Sequence, residues 1–553
     1  MNRRLIYILF ILSTLTGCIT NDLPYPEVVP NITSVVAEGT ENVEIDYADR
    51  TVTLFFPETV DLRKVRISSV EIDQEIAATS VNLVGIHDLT SPLKVTIRTY
   101  SDYDWTIMAE RNVLRYFTIK DQVGSTVIDP ANCRAVAMIG KNSDVSDVTV
   151  TSLKLGPEGL TEYSMPIEAM KDFTHGISLD VKAFDAVEVW SLYVEKSETS
   201  VEINKVNPWA NKVYLTASGV AGQNNGFRYR MSGSDVWTDV PESEITEEGG
   251  SFTSVVSGLQ PGTPYEVVAF SGDEVSEVAE FTTEYATPIP NGSFEYATKV
   301  AGKDYYKFYD PDCGVEEGMY MFWGSGNGEG PEGINGSANL GIVITYIDTD
   351  EKVDGKQSVR AQTSQMVGML AAGNLFTGQF AGLVGTSGGK VNFGRPWNTR
   401  PVALRIYCKY VTGKMDIING MPPGVNLSKE DYDCAEIKFA IGQWDHKQYG
   451  GTQESPVHIN TTDPRTFVDF NTDRSTIANG SLVIHHDGYV LDNAAKVDAE
   501  TDKWIEYIIP LNYHSMDALP THLIISCASS RYGDYFTGCS HSALWIDAAE
   551  LIY

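Results

Sequence analysis

Helical periodicity is nearly absent from this chain, and so are the marks of several function classes. Cysteine is scarce, seven in 553 residues with no CxxC pair, which excludes a zinc ribbon and a dense disulfide framework. Six of the seven, Cys133, Cys313, Cys408, Cys434, Cys527 and Cys539, are spread without close pairs. They read as free thiols, with a bridge from Cys527 or Cys539 as the alternative. Basic residues are outnumbered, 41 Lys and Arg against 74 Asp and Glu, for a net charge of −33. That balance repels nucleic acid and anionic lipid headgroups, so neither is an expected partner. The apolar run from Leu5 to Leu15 is too short to span a bilayer comfortably, follows Arg3 and Arg4, and has the form of a signal peptide over residues 1–17.

Leu15-Thr16-Gly17-Cys18 ends that run and resembles the lipobox of bacterial lipoproteins. The resemblance implies cleavage before Cys18 and lipidation of its sulfur; a secretory signal with an incidental cysteine is the alternative. Residues 18–31 then make a linker stiffened by Pro24, Pro26 and Pro30. The expected location is the cell envelope, as an outer-membrane lipoprotein facing the periplasm or the surface, touching the membrane through its acyl chains only.

A chain of 553 residues exceeds one ordinary core, and hydrophobic residues at 42% suffice to fill several. Alternating strand-like segments bounded by Gly, Asn, Asp and Pro recur throughout, while only MPIEAMKDF, QMVGMLAAG and LSKEDYD have the makings of short helices. The expected fold class is all-β: tandem immunoglobulin-like and fibronectin III-like β-sandwiches followed by a C-terminal β jelly roll. Residues 32–120 read as an Ig-like sandwich, and 121–198 as a second β domain or the completion of the first. Residues 199–285 include Leu259-Gln260-Pro261-Gly262-Thr263-Pro264-Tyr265, which resembles the fibronectin type III corner. There the Tyr265 hydroxyl would bond back to the backbone. The linker YATPIP leads into residues 291–553.

That last domain opens with NGSFE and closes with LWIDAAELIY, a pairing shared by many carbohydrate-binding jelly rolls. The likeness makes Glu295 and Asp547 candidate ligands of a structural Ca2+, the one cofactor expected; the alternative is that these carboxylates cap backbone amides. Between the ends, MFWGSGNGEG, DGKQSVRAQTS, AAGNLFTG, FGRPWNTRPVALRIYCKYVTG, KWIEYIIPLNY and SSRYGDYFTGCSHSALWID run in an order similar to the "putative carbohydrate metabolism domain" family, found in lipoproteins of glycan-foraging Gram-negative bacteria. The resemblance implies a jelly roll that handles carbohydrate, and carries over no catalytic mechanism. Cys539 and His541 depart from it, standing where the family tends to have glycines.

A pyranose ring offers an apolar face and a hydroxyl rim, so its sites combine an exposed aromatic with a few planar polar groups. Three stretches supply both, giving the candidate ligand-binding residues Asn374, Phe376, Arg395, Trp397, Arg400, Arg531, Tyr532, Asp534, Tyr535 and Phe536. The plainer alternatives are an Arg531–Asp534 pair pinning a loop, Tyr532 and Phe536 in a core, Trp397 packed under a sheet, and Gly533 and Gly538 as turn residues. Catalytic machinery is hard to find. His485-His486-Asp487-Gly488 reads as a hairpin, and TSGGKV carries Val384 and Val391 where a phosphate loop needs Gly and Ser/Thr. Asp534, Glu295, Asp445 and Glu506 leave a glycosidase pair open. The favoured reading is a lipid-anchored accessory protein whose partners are oligosaccharides or polysaccharides and other glycan-utilisation proteins. The alternatives are a glycoside hydrolase and a structural adhesin.

Overall fold

The computed structural model describes residues 28–141, 143–308, 322–328, 335–366, 369–385, 387–422, 424–485, 495–498 and 503–553. Cys18 and its leader, Cys313, and the HHDG turn beyond His485 lie outside them. Strands dominate throughout; among the described residues the helical pieces are single turns such as His446–Tyr449, and no helix is long and apolar enough to cross a membrane. Two of the helix expectations fail outright. QMVGMLAAG contributes to a hairpin of Ser364–Met366 with Met369–Ala371, and LSKEDYD forms turns in which Asp431 accepts from Ser428. MPIEAMKDF keeps only the 3-10 turn Ile167–Ala169. Segments this short carry the cost of helix nucleation without enough following hydrogen bonds to offset it.

The alternation seen in the sequence becomes burial. Strand Ser251–Ser257 buries Phe252, Ser254 and Val256 and turns the residues between them outward, as a two-residue side-chain period requires. The chain divides into two compact units. In the first, a three-stranded and a five-stranded sheet share a core around Leu54, Trp105 and Ile107. A second pair of sheets shares a core around Phe117, Phe173 and Trp190. Among the described residues, no strand pairing joins the two sheet pairs across residues 112–115.

The second unit begins with a four-stranded sheet and a five-stranded sheet over residues 202–282. Here the fibronectin-type corner forms: the Tyr265 hydroxyl accepts from the Gln260 backbone N–H at 3.0 Å, and its buried ring stacks on Phe281 at 5.6 Å.

The C-terminal domain is a sandwich. One wall is the five-stranded sheet of Thr345–Asp348, Ser358–Gln362, Ala543–Ile552, Ala403–Val411 and Ile505–Pro510, in that order. Its last strand lies between Ser358–Gln362 and Ala403–Val411; NGSFE forms a turn rather than a paired first strand, and meets the last strand where the Ala549 N–H donates to the Gly292 carbonyl at 2.8 Å. The other wall is a larger sheet whose central strands run Gly388–Phe393, Asn374–Val384, His522–Ala528, Cys434–Gly442 and Thr476–His485. Between the walls lie Ile437, Phe439, Leu523, Ile525, Cys527, Leu544 and Ile546. Glu436, Lys438, Ala440, Ile524 and Ser526 therefore point to the outer face of the large sheet. Part of that face is roofed: Ala440 and Ile524 pack with Trp444, Val457, Phe467 and Phe470, most of them from the excursion 443–475.

The five described cysteines are free thiols, all buried except Cys133, which is half-buried.

Candidate functional site

The RYGDYFTG stretch is the loop between His522–Ala528 and Ala543–Ile552, and its shape is tightly determined. The Arg531 N–H donates to the Cys434 carbonyl at 2.8 Å, fastening the loop to the neighbouring strand. One 3-10 turn covers Gly533–Tyr535 and ends at Phe536, whose φ of 56° lies in the left-handed region that bulky residues avoid. Gly533 has to be glycine, since a Cβ there would lie 2.3 Å from the Ala372 Cβ.

Under the loop sits a polar network with no solvent access. Asp433 Oδ2 accepts from Ser530 Oγ at 2.6 Å, Ser542 Oγ at 2.8 Å and the Cys539 N–H at 2.8 Å; Oδ1 accepts from the Cys434 N–H at 2.9 Å. The Tyr410 hydroxyl donates to the Ser529 carbonyl at 3.0 Å. Burial raises the Asp433 pKa to about 6, against the downward pull of those donors. The serines therefore hold the loop from below.

Above them, the loop meets the outer face of the large sheet. Arg531 Nε lies 3.2 Å from Glu436 Oε1, and Lys438 Nζ lies 3.2 Å from Glu436 Oε2. Asp534 completes the group: desolvation raises its carboxyl pKa, Lys438 opposes that shift and Glu436 adds to it. Lys438 is held charged by Glu436 first, with Asp534 assisting after desolvation has pulled the other way. Two acids and two bases thus gather on the outer sheet face, where the Arg531 and Glu436 side chains are 14% and 11% exposed and Lys438 is 47% exposed. Beside them the half-buried Tyr535 ring meets Phe467 edge-on at 5.9 Å, and half-buried Phe536 follows it.

The ten sequence-named residues separate accordingly. Arg531, Asp534, Tyr535 and Phe536 gather at this lip. Asn374 is half-buried and bound to its own surroundings, accepting from the Gly326 N–H at 2.8 Å and donating to the Ala372 carbonyl at 3.1 Å. Phe376, Arg395, Trp397, Arg400 and Tyr532 are buried, and the expectation that they contact a ligand is corrected by what fills their surroundings. Phe376 packs on Phe393 at 5.2 Å, and Trp397 packs on Phe322 at 6.2 Å. Arg395 donates to the Phe322 and Gly378 carbonyls and to Ser455 Oγ, and burial lowers its pKa to about 10. Arg400 pairs with Glu284 at 2.7 Å, donates to the Met516 and Pro208 carbonyls, and lies 4.7 Å over the Trp209 ring. Tyr532 closes the base of the loop, its carbonyl accepting from the Thr537 N–H.

Glu436, Lys438 and Phe467 were not singled out from the sequence, nor was Asp433. A signal exists for the first two: in CAEIKFAIG two charges alternate within an otherwise apolar strand, as they must if one face is open.

The carboxylates named for Ca2+ have other partners. Asp547 is buried and accepts from the Val353, Asp354 and Ala548 N–H groups at 2.7, 3.0 and 2.7 Å. Glu295 Oε1 accepts from the Lys356 and Gln357 N–H groups. Both cap one loop, the amide-capping alternative; a cation there needs those N–H groups to turn away. Asp445 caps the turn His446–Tyr449, and Glu506 accepts from the Tyr407 hydroxyl. Of the four sequence-named acids, Asp534 has Glu436 as an electrostatic neighbour at the lip.

A cavity of about 140 Å3 exists elsewhere, in the first unit, lined by Arg63, Arg111, Arg115, Phe184 and Glu188 among others. Its arginines are engaged: Arg63 with Asp61, Arg111 with the Val60 carbonyl and Arg115 with the Leu155 carbonyl.

The family model described as "Putative carbohydrate metabolism domain" matches residues 293–552. No curated protein matches the chain. Among solved structures, a protein described as a putative glycoside hydrolase from Bacteroides thetaiotaomicron is 17% identical with a TM-score of 0.28, over 80% of this chain and 96% of that one. Another so described, from Bacteroides vulgatus, is 20% identical with a TM-score of 0.31, over 47% of this chain and 96% of that one.

Proposed function

We propose that the domain over residues 293–552, which matches the model described as "Putative carbohydrate metabolism domain", binds glycan chains at the lip formed by Arg531, Asp534, Tyr535 and Phe536 with Glu436, Lys438 and Phe467. One observation carries the reading: a half-open aromatic pair stands beside four charged side chains that face one another. Such a set matches a sugar, whose apolar face stacks on an aromatic while its hydroxyls exchange hydrogen bonds with carboxylate and guanidinium groups. The remaining domains serve as a stalk. The Leu15-to-Cys18 motif supports a lipid tether that places the head at the cell envelope, with other glycan-utilisation proteins as neighbours.

The test is retention of the full chain in gels containing polysaccharide, together with binding across a wide panel of plant, host and microbial glycans. Binding to at least one class, lost in Arg531→Ala and kept in Lys390→Ala outside the lip, is the expected result. Failure to bind across the whole panel overturns the reading.

A hydrolase is the second reading, and the pairing of Asp534 with Glu436 favours it. Asp534 is an exposed carboxyl whose pKa is raised, by desolvation first and by the Glu436 charge last, the direction a general acid needs. Turnover of labelled glycan abolished by both Asp534→Asn and Glu436→Gln would select this reading over simple capture.

A further inference from the structure

Just beyond the lip, three side chains of metal-binding type converge. Asp416, Cys539 and His541 place one ligand atom each within 4.8 Å of the others, and the Asp416 Oδ2 to His541 Nδ1 separation is 3.9 Å. We propose that Asp416, Cys539 and His541 form a three-ligand site for a zinc-class divalent metal ion, leaving its fourth position to water. This goes beyond glycan binding and does not depend on it.

The ligand set decides the class of ion. A thiolate with an imidazole and a carboxylate suits Zn2+, whereas Ca2+ and Mg2+ take oxygen shells. Bonds of about 2.0–2.3 Å in a tetrahedral arrangement put ligand atoms roughly 3.3–3.6 Å apart, so the cluster must close by about 1 Å. Its members can move that far. The His541 side chain is 84% exposed and Asp416 is 42% exposed, so both can swing, while buried Cys539 supplies a fixed point.

Asp416 on one side and Cys539 with His541 on the other come from two segments of the chain. The two segments are already joined: Ile417 and Gly538 exchange backbone hydrogen bonds at 3.2 and 3.0 Å, and the Ser540 N–H donates to Asp416 Oδ1 at 2.9 Å. Ser540 Oγ also lies 3.0 Å from His541 Nδ1, so the hydroxyl bridges two of the three ligands and is positioned to hydrogen-bond a ligated carboxylate. A metal here would clamp the segment 411–420 to the end of the loop that carries Tyr535.

The experiment titrates the full chain, first stripped of metal, with Zn2+ and then with Co2+. One equivalent of zinc should bind and raise the melting temperature. Cobalt should give a thiolate-to-metal charge-transfer band that Cys539→Ser abolishes. His541→Ala, a change at an exposed side chain that leaves the fold intact, should weaken zinc binding by at least ~10-fold. The proposal is overturned if no stoichiometric zinc binds, if the cobalt form lacks the sulfur band, or if His541→Ala and Cys539→Ser both bind zinc as the unaltered chain does.

Discussion

FGRPWNTRP and RYGDYFTG look alike on paper: each mixes arginine, a large aromatic, glycine and small polar residues, and each was a candidate to meet a sugar. The structure gives them opposite fates. Arg395 and Arg400 spend their donors on backbone carbonyls, Ser455 and Glu284, and Trp397 lies in the main core. This segment is internal glue: Arg400 on Trp209, with Trp209 in turn 4.8 Å from Tyr513, fixes the 202–282 sandwich to the C-terminal domain. Arg531 instead faces a carboxylate on an outer sheet surface, with another acid and a lysine alongside. What separates glue from site is therefore the identity of the partners. A guanidinium saturated by carbonyls in a closed space has no remaining role, whereas Arg531, itself 14% exposed, belongs to a mixed charge group that opens at Lys438, 47% exposed, where a ligand can replace partners.

The largest effect expected from this contrast belongs to the glue. Arg400→Ala leaves Glu284 in a pocket where both side chains are at most 11% exposed, and removing one partner of a buried pair costs about 3–5 kcal/mol. Denaturant unfolding of the full chain measures it, and polysaccharide retention of the folded fraction should not change. A loss below about 1 kcal/mol would mean that the junction is open and the contrast false.

Next comes the support beneath the lip. Asp433 has its folded pKa raised from an ordinary 3.8 to about 6 by burial. The native state therefore holds this proton more tightly than the unfolded state does. The resulting stabilisation is full below about pH 4 and is lost as pH rises through about 6, by at most ~3 kcal/mol. Unfolding free energies of the unaltered chain minus those of Asp433→Asn should fall across that window. A flat difference would show that the Asp433 carboxyl is not buried as described.

Much of this was legible in the sequence. Alternating strands give the sandwiches through local periodicity, whereas the corner at Tyr265 and the C-terminal jelly roll rest on the resemblance of LQPGTPY and of the ordered motifs over 291–553 to known families. The site was legible only in part. RYGDYF could be found because a loop rich in aromatic and charged residues is unusual. Its partners Glu436, Lys438 and Phe467 lie roughly 65 to 100 positions earlier, and only antiparallel pairing of Cys434–Gly442 with His522–Ala528, along with the fold-back of 443–475, brings them near. The fate of Arg400 was illegible for the same reason: its partner Glu284 lies in the linker region 116 positions away.

The smallest effect on stability, and the sharpest test of the contrast, falls on Tyr535. It is half-buried, and its one described ring contact is Phe467 at 5.9 Å, edge-on; pairs of this kind contribute about 0.5–1.5 kcal/mol beyond the area they bury. Tyr535→Ala should therefore cost roughly 1–2 kcal/mol in unfolding and leave the buried Asp433 network, which holds the loop through backbone and serine contacts, in place. Glycan retention should nonetheless fall by at least ~10-fold, since a stacking ring supplies on the order of 1–2 kcal/mol of binding. Trp397→Phe gives the opposite pattern, because the replaced indole packs in the core on Phe322: stability falls and retention by the folded protein holds. If both substitutions lower stability and neither lowers retention, Tyr535 belongs with Trp397 as packing, and any ligand must dock on another surface of the domain.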